Sequence, residues 1–220
     1  MATKAERKAL SDAGHRERIA ARLTAAQDGI QDLSLSRHIW RTTVNIADAN
    51  MAITQSFFVY WMSSQYAQAA CSAVRRLTES GPKAQNTNSL VAALEDLATH
   101  ARSFPWQFWM PADYRGADGC LDPQRIQRDI DDLRTAAEAV RVYVNQHLAH
   151  LDRHARMAVP TLAQLDAAID LLGDVLSKVM LTTGWPVAMS LVASALRTVR
   201  ESGAAAAAVA TRNITAASTD

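Results

Sequence analysis

The run EAVRVYVNQHLAHLDRH, residues 138–154, carries three imidazoles, His147, His150 and His154, at spacings of three and four. On a persistent α-helix this places all three within about 60° of one another on one face. Asn145 and Asp152 lie close by, and Arg141 precedes them. Histidine titrates near neutral pH and can serve as acid, base or metal ligand. A surface helix seldom needs so many in one stripe. The bland alternative makes them rim and core residues satisfied by neighbouring helices. A shared metal ion is chemically conceivable, since histidines three or four apart can bind one ion. The run lacks the glutamate spacing of paired Glu-x-x-His bundles, and we expect no metal and no other cofactor.

The segment that must position these residues begins at Asp122-Pro123, an N-cap acceptor followed by proline at the first helical position. No breaker follows until Pro160. Thr161 and Gln164 have capping-box spacing and open the next helix, LAQLDAAIDLLGDVLSKVM. Glycine and proline are scarce, eight and six residues, as long helices joined by short loops require. The pattern predicts a highly charged helix over residues 4–29 ending near Gly29, and a second over 31–50. A third runs through MAITQSFFVYWMSSQYAQAACSAVRRL, where Phe57, Tyr60, Trp61, Ser64, Ala67 and Cys71 recur at three and four residues and predict one buried face. Gly81-Pro82 stops it, and Thr87 or Asn88 caps the helix through SLVAALEDLATHA. A last helix starts at Pro186. The one long irregular segment, residues 104–121, concentrates Phe104, Trp106, Phe108, Trp109 and Tyr114. It reads as aromatics tucked into the bundle, with base stacking as the alternative.

The reading is an all-α, multi-helix bundle of about six or seven helices, the architecture such a pattern supports. It divides into an N-terminal charged helix (residues 1–30), a bundle core (31–202) and an alanine-rich tail (203–220) expected to be frayed. A formal net charge of +1 over 220 residues removes any argument from bulk electrostatics. Basic patches must be local. The apolar fraction of 49% is inflated by alanine, so the core is thin and an oligomer is plausible. Cys71 falls in a helix and Cys120 in a Gly-rich loop, which is no secreted disulfide framework. No apolar signal region follows the N-terminal charges, and no stretch reaches ~18 apolar residues. We expect no membrane span and a cytoplasmic location. There is no phosphate-binding glycine loop, nucleophile elbow or two-cysteine metal knuckle.

The stretch VNQHLAHLD resembles the signature of HEPN domains, helical bundles of prokaryotic defence systems and toxins. Their motif is an arginine, then a polar residue, then four to six residues to a histidine, often written Arg-Asn-Lys-x-x-Ala-His. Aligned on Ala149-His150, this chain has Asn145 and Gln146 at the polar positions, His150 as the motif histidine and Leu151-Asp152 as the usual continuation. The layout resembles the abortive-infection U-like branch. It shares an aromatic-rich helix ending in Arg75-Arg76-Leu77, a helix opened by Ser89-Leu90, the motif helix, and a Thr161-Leu162 start. The likeness spans roughly residues 35–180, an HEPN-like core. The motif arginine would fall at position 144, where Val144 stands.

The resemblance implies an RNA site shared across a homodimer two-fold. Metal-free RNA cleavage needs a base for the 2′-hydroxyl, an acid for the leaving 5′-oxygen and a cation for the charge on phosphorus. His150, with His147 or its symmetry mate, would be acid and base, and Asn145 would orient phosphate or a tautomer. Arg141, Arg75 or Arg76 would be the candidate cation; Arg141 is the nearest upstream arginine on the motif helix, yet on an ideal helix it points about 120° from His147 and about 180° from His150. Arg75, Arg76 and His154 would contact RNA. Arg75 and Arg76 can equally be solvated cations at a helix C-terminus, and Asn145 can simply bridge helices. Two function classes follow: an RNA- or protein-binding HEPN-like module with a degenerate motif, and an active metal-independent ribonuclease. A plain structural bundle is the third. An antitoxin or defence protein is the partner the family suggests.

Overall fold

Five α-helices and no strand make up the described residues of the computed structural model, 4–50, 56–80, 89–107, 110–148 and 159–182. The all-α reading holds. The count is lower than the six or seven expected because the first two expected helices are one, α1, Lys4–Asp48. The expected last helix, from Pro186, lies outside the described residues. Helix α1 crosses Gly29 without a break because Ile19, Leu23, Ala26, Ile30 and Leu33 form an unbroken buried stripe, spaced four, three, four and three. One mid-helix glycine costs only about 1 kcal/mol, which that packing outweighs. Gly29 serves close approach instead: a Cβ there would lie 3.3 Å from Leu77 Cδ2.

Helix α2, Phe57–Leu77, is capped by Ser56, whose hydroxyl accepts from the Val59 amide. Its buried residues are Tyr66, Ala70, Cys71, Val74 and Leu77. The predicted buried stripe was therefore half wrong. Cys71 is inside, whereas Phe57, Tyr60 and Trp61 are 79%, 74% and 49% exposed. Period alone cannot tell which end of a helix overhangs the bundle. Trp40 of α1 stacks on Tyr66 at 4.7 Å and donates to the Ser63 hydroxyl.

Helix α3, Leu90–Thr99, is capped by Ser89 and not by Thr87 or Asn88. The buried Ser89 Oγ accepts from the Ala92 amide at 3.2 Å. It also lies within donating distance of the Leu77 and Glu79 carbonyls, which ties the end of α2 to the start of α3. After α3 the chain forms two short 3-10 turns, Ala101–Ser103 and Ala112–Tyr114. The loop is closed by backbone bonds from Leu121 to Phe104 and from Asp122 to Tyr114. Its turn needs Gly119, whose φ is +77°. Phe104 and Tyr114 are buried, so these two aromatics pack, as favoured. Tyr114 donates to the buried Asp129 carboxylate, which Arg125 also contacts at 2.8 Å. Burial first, and then that hydrogen bond, push the Tyr114 phenol far above its ordinary range. Phe108 and Trp109 lie outside the described residues.

Helix α4, Pro123–Tyr143, opens as expected, with the Asp122 carboxylate accepting from the Gln124 amide at 2.9 Å. Helix α5, Leu162–Thr182, opens on the expected capping box. The Thr161 amide donates to Gln164 Oε1 at 2.8 Å, and the Gln164 amide donates to Thr161 Oγ1 at 3.2 Å. Arg41 pairs with Asp166, and Arg37 with Asp166 and Asp170. The pairs run in opposite order along α1 and α5, so the two helices pack antiparallel. Helix α4 lies against α2, α3 and α5, and α1 closes the bundle against α2, α3 and α5. Cys71 and Cys120 are both free thiols, Cys71 buried. Burial pushes the Cys71 thiol up to about 11. No helix among the described residues is long and apolar enough to cross a membrane.

Candidate functional site

Helix α4 does not stay α-helical through the histidine run. At Val144–Leu148 it widens into a π-turn. Such turns shift the phase of every following side chain and recur at functional sites. The angular relations expected from an ideal helix therefore do not carry past Tyr143.

The turn begins on a core residue. Along α4 the buried apolar positions are Ile126, Ile130, Leu133, Ala137, Val140 and then Val144, alternating by four and three. Val144 is 4% exposed and belongs to the central apolar cluster. Position 144, where the resemblance would put an arginine, is thus an interior position of this bundle. The four-and-three spacing of these apolar residues is a signal of that interior position in the sequence itself.

One residue later, Asn145 meets the last turn of α2. The Arg75 Nε donates to Asn145 Oδ1 at 2.8 Å. The rest of the Arg75 guanidinium makes a loose contact with Glu79, 3.7 Å away, and its side chain is 37% exposed. Arg76 is exposed beside it and forms no ion pair among the described residues. Ser89 and Thr78 hold this corner. The Thr78 hydroxyl donates to the Val74 carbonyl at 2.8 Å, closing α2 behind the two arginines.

The other sequence candidate for the cation stands elsewhere. Arg141 forms three hydrogen bonds of 2.8 to 3.0 Å with Glu138 on its own helix, half exposed. Its fork is occupied by that carboxylate, and it is not brought to Asn145. His147 has its backbone in the π-turn, but its side chain, like all of His150, Asp152 and His154, lies outside the described residues. Of the named site residues, then, the structure brings together Arg75 and Asn145, leaves Arg76 adjacent and sets Arg141 apart.

A second polar cluster escaped sequence reasoning entirely. His15 and His100 stack with ring centroids 3.9 Å apart. Asp96 accepts from Arg18 at 2.9 Å and from Arg22 at 3.1 Å, and lies 3.3 Å from His100 Nδ1. Burial alone would raise the Asp96 carboxyl, but the hydrogen bonds and charge of Arg18, helped by Arg22 and His100, bring it below its ordinary value. Asp96 and His100 are four residues apart, but their partners on α1 are distant in the chain, Arg18 by 78 residues and Arg22 by 74. No local spacing announces the contacts between the two helices. This cluster fastens α1 to α3. Among the described residues no group of three or more His, Cys, Asp or Glu side chains could hold a metal ion.

Comparison with known proteins returns no match among curated proteins or solved structures. A family model does match: the HEPN family described as AbiU2, over residues 31–189. That range covers most of the chain and takes in the arginine corner, the buried stripe of α4 and the whole histidine run. On that match the chain belongs to the AbiU2 family of HEPN proteins.

Proposed function

We propose that this protein is a cytoplasmic, homodimeric component of a prokaryotic defence system of the abortive-infection or toxin–antitoxin type, and that it binds RNA with weak cleavage or none. The observation that carries this reading is the corner made by Arg75, Arg76 and Asn145 at the π-turn. It sets two guanidiniums, one oriented by an amide and one in solvent, at Asn145, which precedes the Ala149-His150 signature by four residues in the sequence. Guanidinium is the side chain best matched to a phosphodiester, because its planar fork meets two oxygens at once. With a net charge of +1, affinity has to come from such a local patch and be strongly salt-dependent.

The active ribonuclease is the second reading, supported by the retained Ala149-His150 signature. Purified protein is incubated with tRNA and total RNA in the presence of chelator, alongside His150→Ala. Retained RNA binding without cleavage by the wild type is the expected result. Cleavage by the wild type that His150→Ala abolishes would establish the nuclease instead. Neither binding nor cleavage would leave a helical scaffold that acts through a protein partner, such as a cognate antitoxin.

A further inference from the structure

The absence of an arginine at position 144 reads at first as decay of a site. The packing argues otherwise. Position 144 continues the interior stripe of α4 at four residues from Val140 and is 4% exposed. An arginine there would have to push its charge through the apolar cluster, at a cost few proteins bear. In this bundle the register of α4 disfavours a cation at that position on packing grounds alone. Meanwhile the adjacent residue, Asn145, accepts from an arginine that arrives from another helix.

We propose that Arg75 supplies from α2 the phosphate-binding cation that position 144 cannot present, and that Asn145 is its positioning residue. The inference rests on the RNA-binding reading above and names the group that makes the contact. Three observations support it. Nε is spent on Asn145 Oδ1 at 2.8 Å, which fixes the guanidinium plane and leaves the edge formed by Nη1 and Nη2, the edge that meets two phosphate oxygens. The competing carboxylate, Glu79, is at 3.7 Å, longer than a charge-assisted hydrogen bond, so an incoming phosphate displaces little. The side chain is neither sealed nor free, at 37% exposed, as a preorganised but reachable ligand must be. Arg141 fails on the first two counts, since Glu138 already holds its fork at 2.8 to 3.0 Å.

The test uses the full chain and a fluorescein-labelled single-stranded RNA 12-mer, with affinity read by anisotropy across a salt series. Arg75→Ala is expected to weaken binding at least ~10-fold. It should also flatten the plot of log affinity against log salt by about 0.7, the share of one single-strand phosphate contact. Asn145→Ala is expected to weaken binding several-fold with the slope unchanged, because the charge remains but loses its orientation. The double variant should bind no worse than Arg75→Ala alone, the mark of two residues acting as one unit. Arg141→Ala should match the wild type. If Arg75→Ala does not fold, Arg75→Gln gives the same slope reading. Wild-type affinity and slope in a folded Arg75 variant would overturn this assignment while leaving RNA binding intact. Failure of the wild type to bind the RNA would overturn both.

Discussion

Val144 decides more about this protein than any of its histidines. A valine only 4% exposed, continuing the buried stripe of α4 from Val140 within the central apolar cluster, leaves no room for a solvated charge. The sequence alone presents the same residue as a gap in a motif. Substituting Val144→Arg separates the two views. On the packing view it lowers stability by at least ~2 kcal/mol, seen as a reduced urea midpoint, because an unpaired charge enters an apolar cluster. It also leaves RNA binding no stronger than that of the wild type. A neutral stability change would mean that position 144 reaches solvent and that the motif is merely eroded. The same contrast governs the arginines. Arg75 and Arg141 look interchangeable in sequence, and only their partners, Asn145 and Glu138, set them apart.

At the level of elements, termini were the legible part. Asp122-Pro123 and the Thr161–Gln164 box were predicted and are found, because a cap depends on residues within one turn. The start of α3 was displaced by one or two residues, from Thr87 or Asn88 to Ser89, for a tertiary reason. Ser89 is fully buried and its hydroxyl faces the Leu77 and Glu79 carbonyls as well as the Ala92 amide. The two caps should therefore respond differently to alanine. Ser89→Ala is expected to cost about 2 kcal/mol, since buried carbonyls lose a donor as well as an amide its acceptor. Thr161→Ala, at an exposed cap, should cost about 0.5–1 kcal/mol. Thermal or urea denaturation of the pair measures this, and equal costs would contradict the assigned role of Ser89. The exposed aromatics of α2 teach the opposite lesson. Phe57, Tyr60 and Trp61 keep helical period with Cys71, yet the helix is buried only from Tyr66 onward.

The whole molecule is held by connections between distant parts of the chain, and Asp96 is the most exacting of them. It draws Arg18, Arg22 and His100 into one network joining α1 to α3. Its carboxyl lies below the ordinary value in the folded state. The stability it contributes is therefore present above the unfolded carboxyl value, near 4, and is lost as pH falls through the lower folded value. Asp96→Asn should be less stable than the wild type at pH 7, and the gap should narrow as pH falls below about 4 and the wild-type carboxyl takes up its proton. Urea midpoints of both proteins at pH 7 and pH 3 measure this. A constant gap across that range would show that the network acts through shape and not through charge.

Composition, the scarcity of proline and glycine and the period of the apolar residues determined the all-α class and most helix ends, because those properties depend on neighbours within a few residues. The ten-residue run around Ala149-His150 was enough to indicate the HEPN family, and the family match over residues 31–189 agrees. The tertiary structure alone decided that α1 is continuous through Gly29, that Asp96 fastens it, that α4 widens at Val144, and that the guanidinium beside Asn145 is Arg75. Each of these depends on which surfaces meet, with partners up to 78 residues apart in the cases named here. A local pattern carries no record of that distance.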